Sequence, residues 1–176
     1  MKRRFFFSLA VLGVLAACGT AVTDPSAGVP LDAYIVNSVV VDSAAVQKVK
    51  GRAVQRDAAQ IEADVRDTVV AALEPRDVPG GTPIDVGIVL QDIRLSRPEQ
   101  NVFGGVSKLK ALVTFDNART GQPIQAPQVI TGNAEGFRIP VGLLAIATTK
   151  TPEKDYQATL AGFAHKVERS IYGNSQ

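Results

Sequence analysis

Few side chains in this sequence can do chemistry, and their spacing decides what they could do. There is one histidine, His165, and one cysteine, Cys18. A Ser-His-Asp arrangement would need His165 as its base. His165 lies nine positions after Tyr156, about two and a half helical turns, so a helix turns it roughly 180° from the apolar side and towards solvent. Asp85 and Asp92 have the residue type for paired-carboxylate acid–base work. Their odd and even positions put them on opposite faces of a strand unless a bulge intervenes. One histidine without a cysteine cluster or an HExxH run does not make a usual zinc site. Gly80-Gly81 and Gly104-Gly105 lack the flanking pattern of a phosphate loop. No nucleophile, base and stabiliser converge, so neither catalysis, nor a metal, nor a soluble cofactor is expected.

Cys18 has a more definite context. Lys2, Arg3 and Arg4 precede an apolar run from Phe5 to Ala17, broken only by Ser8 and Gly13. A basic head, a short apolar core and small residues at the end form the layout of a secretory signal. The run falls short of the roughly 20 apolar residues needed to cross a bilayer. Leu15-Ala16-Ala17-Cys18 resembles the lipobox of bacterial lipoproteins. That resemblance implies cleavage between Ala17 and Cys18, a diacylglycerol on the Cys18 thiol and an acyl chain on its new amino group. Two or more chains hold a protein stably at a membrane, where one gives only marginal residence. Gly19, in place of an aspartate, implies the periplasmic side of the outer membrane; the outer leaflet of the inner membrane is the alternative. An ordinary signal peptide followed by a coincidental cysteine is the plainer reading of the same residues.

Removing residues 1–17 takes away three of the nineteen basic residues and none of the seventeen acidic ones. The remaining 159 residues have a formal charge of −1. With no basic patch, no nucleic-acid partner is expected. Residues 18–30 are small, polar and punctuated by proline and glycine, as in a flexible tether. Residues 31–176 are long enough for a single hydrophobic core.

The elements that must position any site follow from periodicity. Asp32 to Asp42 is rich in β-branched residues and reads as a strand. Val54, Ala58, Ile61, Val65, Val69 and Ala72 form one helical stripe. The charged residues opposite it, Glu62 and Arg66 among them, read as a solvated face. Glu74-Pro75 ends the helix, because the residue before a proline avoids the helical region. Ile84, Val86, Ile88 and Leu90 alternate as a strand, and the phase then slips to Ile93 and Leu95, predicting a bulge near Gln91-Asp92. Leu109, Ala111, Val113 and Phe115 make a third strand, and Asp116 to Gln122 a turn with Gly121 free to take positive φ. A fourth strand over Ile124 to Ala134, interrupted by Pro127, should lie at an edge. A last helix begins at Pro152 with Thr151 as its cap, and Tyr156, Leu160, Phe163, Val167 and Ile171 share its apolar face.

The order is β-α-β-β-β-α. It predicts an α+β two-layer sandwich with two amphipathic helices on one face of a mostly antiparallel sheet.

Two segments fit a soluble domain less well: Pro98 to Gly105, with Val102 and Phe103 in a polar loop, and Gly136 to Thr149, apolar without a clean period. Either they fold back over uncovered core, or Val102, Phe103, Val141, Leu143, Leu144 and Ile146 contact a partner or an acyl chain. Phe103 to Gly136 resembles a segment of small uncharacterised bacterial lipoproteins. The matching features are Gly104-Gly105, the strand Leu109 to Phe115, Asp116 with Thr120-Gly121, and the return strand Val129 to Asn133. The chain departs from that pattern at Ser107, where the family carries a histidine. The element order is distantly similar to lipoproteins that assist outer-membrane assembly or lipid transport. Those likenesses are structural and do not imply a function; the function expected first is that of a non-enzymatic accessory lipoprotein that binds an envelope protein partner. A carrier or sensor of a lipid or small apolar ligand is the alternative, with a hydrolase the remaining one.

Overall fold

The computed structural model describes residues 34–77, 79–97, 106–134 and 151–173. They form strand β1 (Tyr34–Asp42), helix α1 (Ala58–Leu73), strands β2 (Thr82–Arg94), β3 (Lys108–Asn117) and β4 (Gln128–Asn133), and helix α2 (Pro152–Tyr172). The order and the α+β class are those expected. The four strands lie side by side in chain order. β1 pairs with β2 in parallel, with α1 as the crossover such a pair requires, while β2–β3 and β3–β4 are antiparallel.

Alternation along each strand selects the core. Ile84, Val86, Ile88 and Leu90 of β2 and Leu109, Ala111, Val113 and Phe115 of β3 are all at most 1% exposed and face the helices. The phase slip is a real bulge. The β2–β3 register jumps between Leu90 and Asp92, which returns Ile93 and Leu95 to the core. β4 is an edge strand, as Pro127 required, but it runs only from Gln128 to Asn133 rather than over Ile124 to Ala134. Proline at 127 keeps the preceding residues out of the ladder; a single bridge, Asp116 with Pro123, marks their return from the turn. In that turn Gly121 does take positive φ, at 66°.

Helix α2 buries the whole predicted stripe, capped by the Thr151 hydroxyl, which accepts from the Lys154 amide at 3.3 Å. It sits so close to β4 that a Cβ on Gly132 would lie 2.2 Å from the Phe163 Cα. Only glycine fits there.

Helix α1 corrects three expectations. Val54 precedes the helix, and Leu73 rather than Ala72 is the fully buried residue of the last turn. Asp57 caps the start in a reciprocal box with Gln60. Glu74 keeps helical dihedrals despite the following proline; the helix ends instead by tightening into a 3₁₀ turn over Glu74–Arg76. Its polar face is also not simply solvated. Glu62 accepts from the amide and hydroxyl of Ser43, and Arg66 turns to Asp67 rather than to Glu62.

Between β1 and α1 the chain runs beside the end of β2. Lys50 exchanges backbone hydrogen bonds with Ile93 and Leu95, and Val46 and Val49 are buried. Gly51 follows at φ 91°, where a Cβ would strike the Leu95 carbonyl oxygen at 2.0 Å. This close approach delivers Arg52 to the interior.

Candidate functional site

Three polar constellations are positioned by these elements. The most buried joins Arg52, Ser96 after β2, Ser107 before β3 and Asp155 in the first turn of α2. The Ser107 hydroxyl donates to Asp155 Oδ2 at 2.5 Å and accepts from the Ser96 amide at 2.9 Å. Arg52 brings a guanidinium nitrogen to 3.6 Å from the same carboxylate oxygen. Both charged side chains are 12% exposed. A buried carboxylate held by a guanidinium and a hydroxyl is compensated, and buried charges otherwise carry a large cost. The serine donates a hydrogen bond to a carboxylate already engaged by a cation, an arrangement that pins the ends of β2, β3 and α2 together. Sequence reasoning missed this pin. Asp155 sits one position before the apolar stripe and carries no pattern of its own; only the tertiary fold brings the four residues together.

The second constellation closes the seam between the helices. Asp64 Oδ2 of α1 accepts from Arg56 Nε at 2.9 Å and from the Tyr156 hydroxyl of α2 at 3.0 Å. Arg56 reaches on to Glu153 at 2.8 Å and lies over the Tyr156 ring, 5.6 Å from its centre. Burial first, then the neighbouring Asp64 carboxylate, pushes the Tyr156 phenol well above its ordinary value, with Arg56 pulling the other way. The phenol stays protonated and serves as a hydrogen-bond donor.

The third lies on the outer rim of β4. A groove of about 400 Å³ is lined by Gln128 to Thr131 and by Lys166, Arg169 and Ser170 of α2. Lys166 Nζ donates to the Thr131 carbonyl at 2.7 Å, so that carbonyl points away from β3. Antiparallel alternation turns the backbone groups of Val129 the same way.

The candidate residues of the sequence fare differently. His165 is on the exposed side of α2, its side chain 48% exposed and 3.1 Å from Glu168. The bulge carries Asp92 onto the same face of the sheet as Asp85, but seven positions along a strand separate them by about 23 Å. They do not pair. Asp85 is held by Ser38 and Asn37, at 2.6 and 2.7 Å, and Asp92 by Lys50 at 2.8 Å. Among the described residues no cluster of three or more potential metal ligands exists. Ala17, Cys18, Val102, Phe103, Val141, Leu143, Leu144 and Ile146 lie outside the described residues.

No protein-family model matches the chain, and no curated protein matches it. Among solved structures it is similar to a Xanthomonas campestris protein of the family DUF330, at 10% identity and a TM-score of 0.46, covering 79% of this chain and 84% of that one. A Caulobacter crescentus protein, provisionally described as a lipoprotein, is 12% identical with a TM-score of 0.37, covering 78% and 87%. An uncharacterised protein is 11% identical with a TM-score of 0.46, covering 81% and 94%. At these values the likenesses carry no argument about what this chain does.

Proposed function

We propose that this protein is a lipid-anchored accessory protein of the cell envelope, non-enzymatic, which works by binding a protein partner. Cys18 is its anchor, carrying diacylglycerol and an N-acyl chain, and Gly19 directs it to the periplasmic side of the outer membrane. The domain beyond the tether supplies the binding surface. The observation that supports a binder over a ligand carrier is the closure of its two layers. Ile61, Val65, Val69 and Leu73 of α1, and Tyr156, Leu160, Phe163 and Val167 of α2, are each at most 1% exposed. Among the described residues, these side chains pack against the sheet with no water-sized space beside them, which leaves no room there for an acyl chain. The rim of β4 is, among the described residues, one edge that stays accessible. Its outward backbone groups at Val129, flanked by Lys166 and Arg169, suit a short extended segment with acidic side chains.

Native mass spectrometry of the lipoprotein, gently extracted from its own membranes, tests this reading. A stoichiometric protein companion is expected, with Cys18→Ala releasing the chain from the membrane fraction. A mass in the lipid range beyond the covalent anchor would favour the carrier instead, and a Cys18→Ala chain that stayed membrane-bound would remove the anchor.

A further inference from the structure

Among the described residues, both helices pack on one face of the sheet. The other face carries three of the four most exposed large apolar side chains, Val40, Val89 and Val129, at 64, 44 and 55%. Val89 and Val129 flank Leu112 across the strands, so an apolar row crosses β2, β3 and β4 in the middle of this face, with the exposed Asp42 of β1 at its end.

The charges beyond that row are sorted by sign. Towards one end, Asp85 and Asp116 stand directly opposite each other on β2 and β3. Like charges in that position are destabilising. Among the described residues, Asp85 is bonded by the neutral Ser38 and Asn37 and by no cation. Towards the other end, Arg94 stands opposite Lys108, and Asp92 opposite Lys110. Asp92 is engaged by Lys50, leaving three cations in excess. Burial works to raise the Asp92 pKa; the Lys50 hydrogen bond and the fields of Lys50, Arg94 and Lys108 outweigh it and hold the carboxyl below its usual range. The lowering reports a positive local field.

A face that is acidic at one end, apolar in the middle and basic at the other complements itself. A two-fold axis along the Val89–Leu112 row, perpendicular to the strands, lays the acidic end of one copy on the basic end of the next. Asp85 then meets Arg94, Asp116 meets Lys108, and the apolar row over β2–β4 meets its twin, while the two Asp42 side chains meet only at the β1 rim. An axis parallel to the strands would set acid on acid. Four strands about 4.8 Å apart, with some ten residues at about 3.3 Å each, make a face of roughly 600 Å². Two such faces would bury about 1,200 Å², the lower end of specific interfaces. We propose that the open sheet face is a homodimer interface, two copies packing face to face with antiparallel strand directions.

The test is co-capture of two differently tagged copies of the full chain, expressed together and solubilised from the membrane. The unaltered copies should recover each other. Asp85→Lys with Asp116→Lys, introduced in both copies, should cut recovery at least fivefold, and Arg94→Glu with Lys108→Glu should do the same. Pairing one copy of each double variant should restore recovery, because both ends of the interface are then complementary. A single chain carrying all four changes should restore it as well. Unaltered copies that do not recover each other would overturn the proposal. So would double variants that still self-associate, or a loss that neither the mixed pair nor the fourfold variant repairs.

Discussion

The two faces of the sheet share one backbone alternation and have opposite chemistries. The inner face is uniformly aliphatic and sealed: Ile84, Val86, Ile88 and Leu90 meet α1 and α2 with almost no surface left to water. The outer face alternates Asp85, Gly87, Val89 and Gln91 on the same strand, mixing charge, space and half-exposed valine. Identity matters to stability on the first face and, under the proposed dimer, to recognition on the second. A volume change inside has no solvent to absorb it, whereas outside it has.

Adjacent residues of β2 give the sharpest way to break that comparison. Ile88→Ala should cost about 2–5 kcal/mol through the cavity it leaves. Val89→Ala, one position on, should stay within about 0.5 kcal/mol when both changes are made in the Asp85→Lys/Asp116→Lys background, which keeps the chain monomeric, and read by urea denaturation. Equal losses would mean that both faces are buried. A smaller effect is expected where the inner layer turns polar. Ser107→Ala strips Asp155 of a donor and the Ser96 amide of an acceptor, and should cost about 1–3 kcal/mol by the same measurement. A neutral result would show that the Arg52 ion pair alone holds the carboxylate.

The smallest effect belongs to the outer face. Hydrogen bonds from Ser38, then from Asn37, hold the Asp85 carboxyl below its usual range. Its proton is therefore bound more weakly in the folded chain than in the unfolded one. The stabilisation is full above the unfolded carboxylate pKa and fades as pH falls through the lower folded value. Ser38→Ala should move the Asp85 titration upwards, read by carboxyl-carbon NMR, and flatten the acid limb of the stability curve slightly. An unmoved titration would assign the lowering to Asn37.

The inner face was legible because burial imposes a period. Alternation located β2 and β3, its slip located the bulge at Gln91-Asp92, and Pro127 announced that β4 is an edge. The parallel pairing of β1 with β2 was not legible, since a period says which face a residue takes and not which strand lies beside it. The Asp57–Gln60 cap was present in the sequence as Asp-x-x-Gln and could have been read from that spacing. The Arg52–Ser96–Ser107–Asp155 pin could not, because its members come from four separate stretches and none breaks a local pattern. The helix face expected to be solvated instead holds Asp64, claimed by Arg56 and Tyr156 across the helix seam. Charge pattern alone does not distinguish a solvated carboxylate from one committed to a neighbouring element.

The ring of Tyr34 at the start of β1 lies 6.4 Å from that of Tyr172 at the end of α2. The first strand therefore has part of its packing supplied by the last turn of the last helix, almost 140 positions later. Non-local closure of this kind slows folding, since the intervening chain must be ordered before the contact repays it. A chain cut short before residue 172 would keep all four strands and most of α2 yet leave the Tyr34 ring without its partner, an unsealed corner at the first strand.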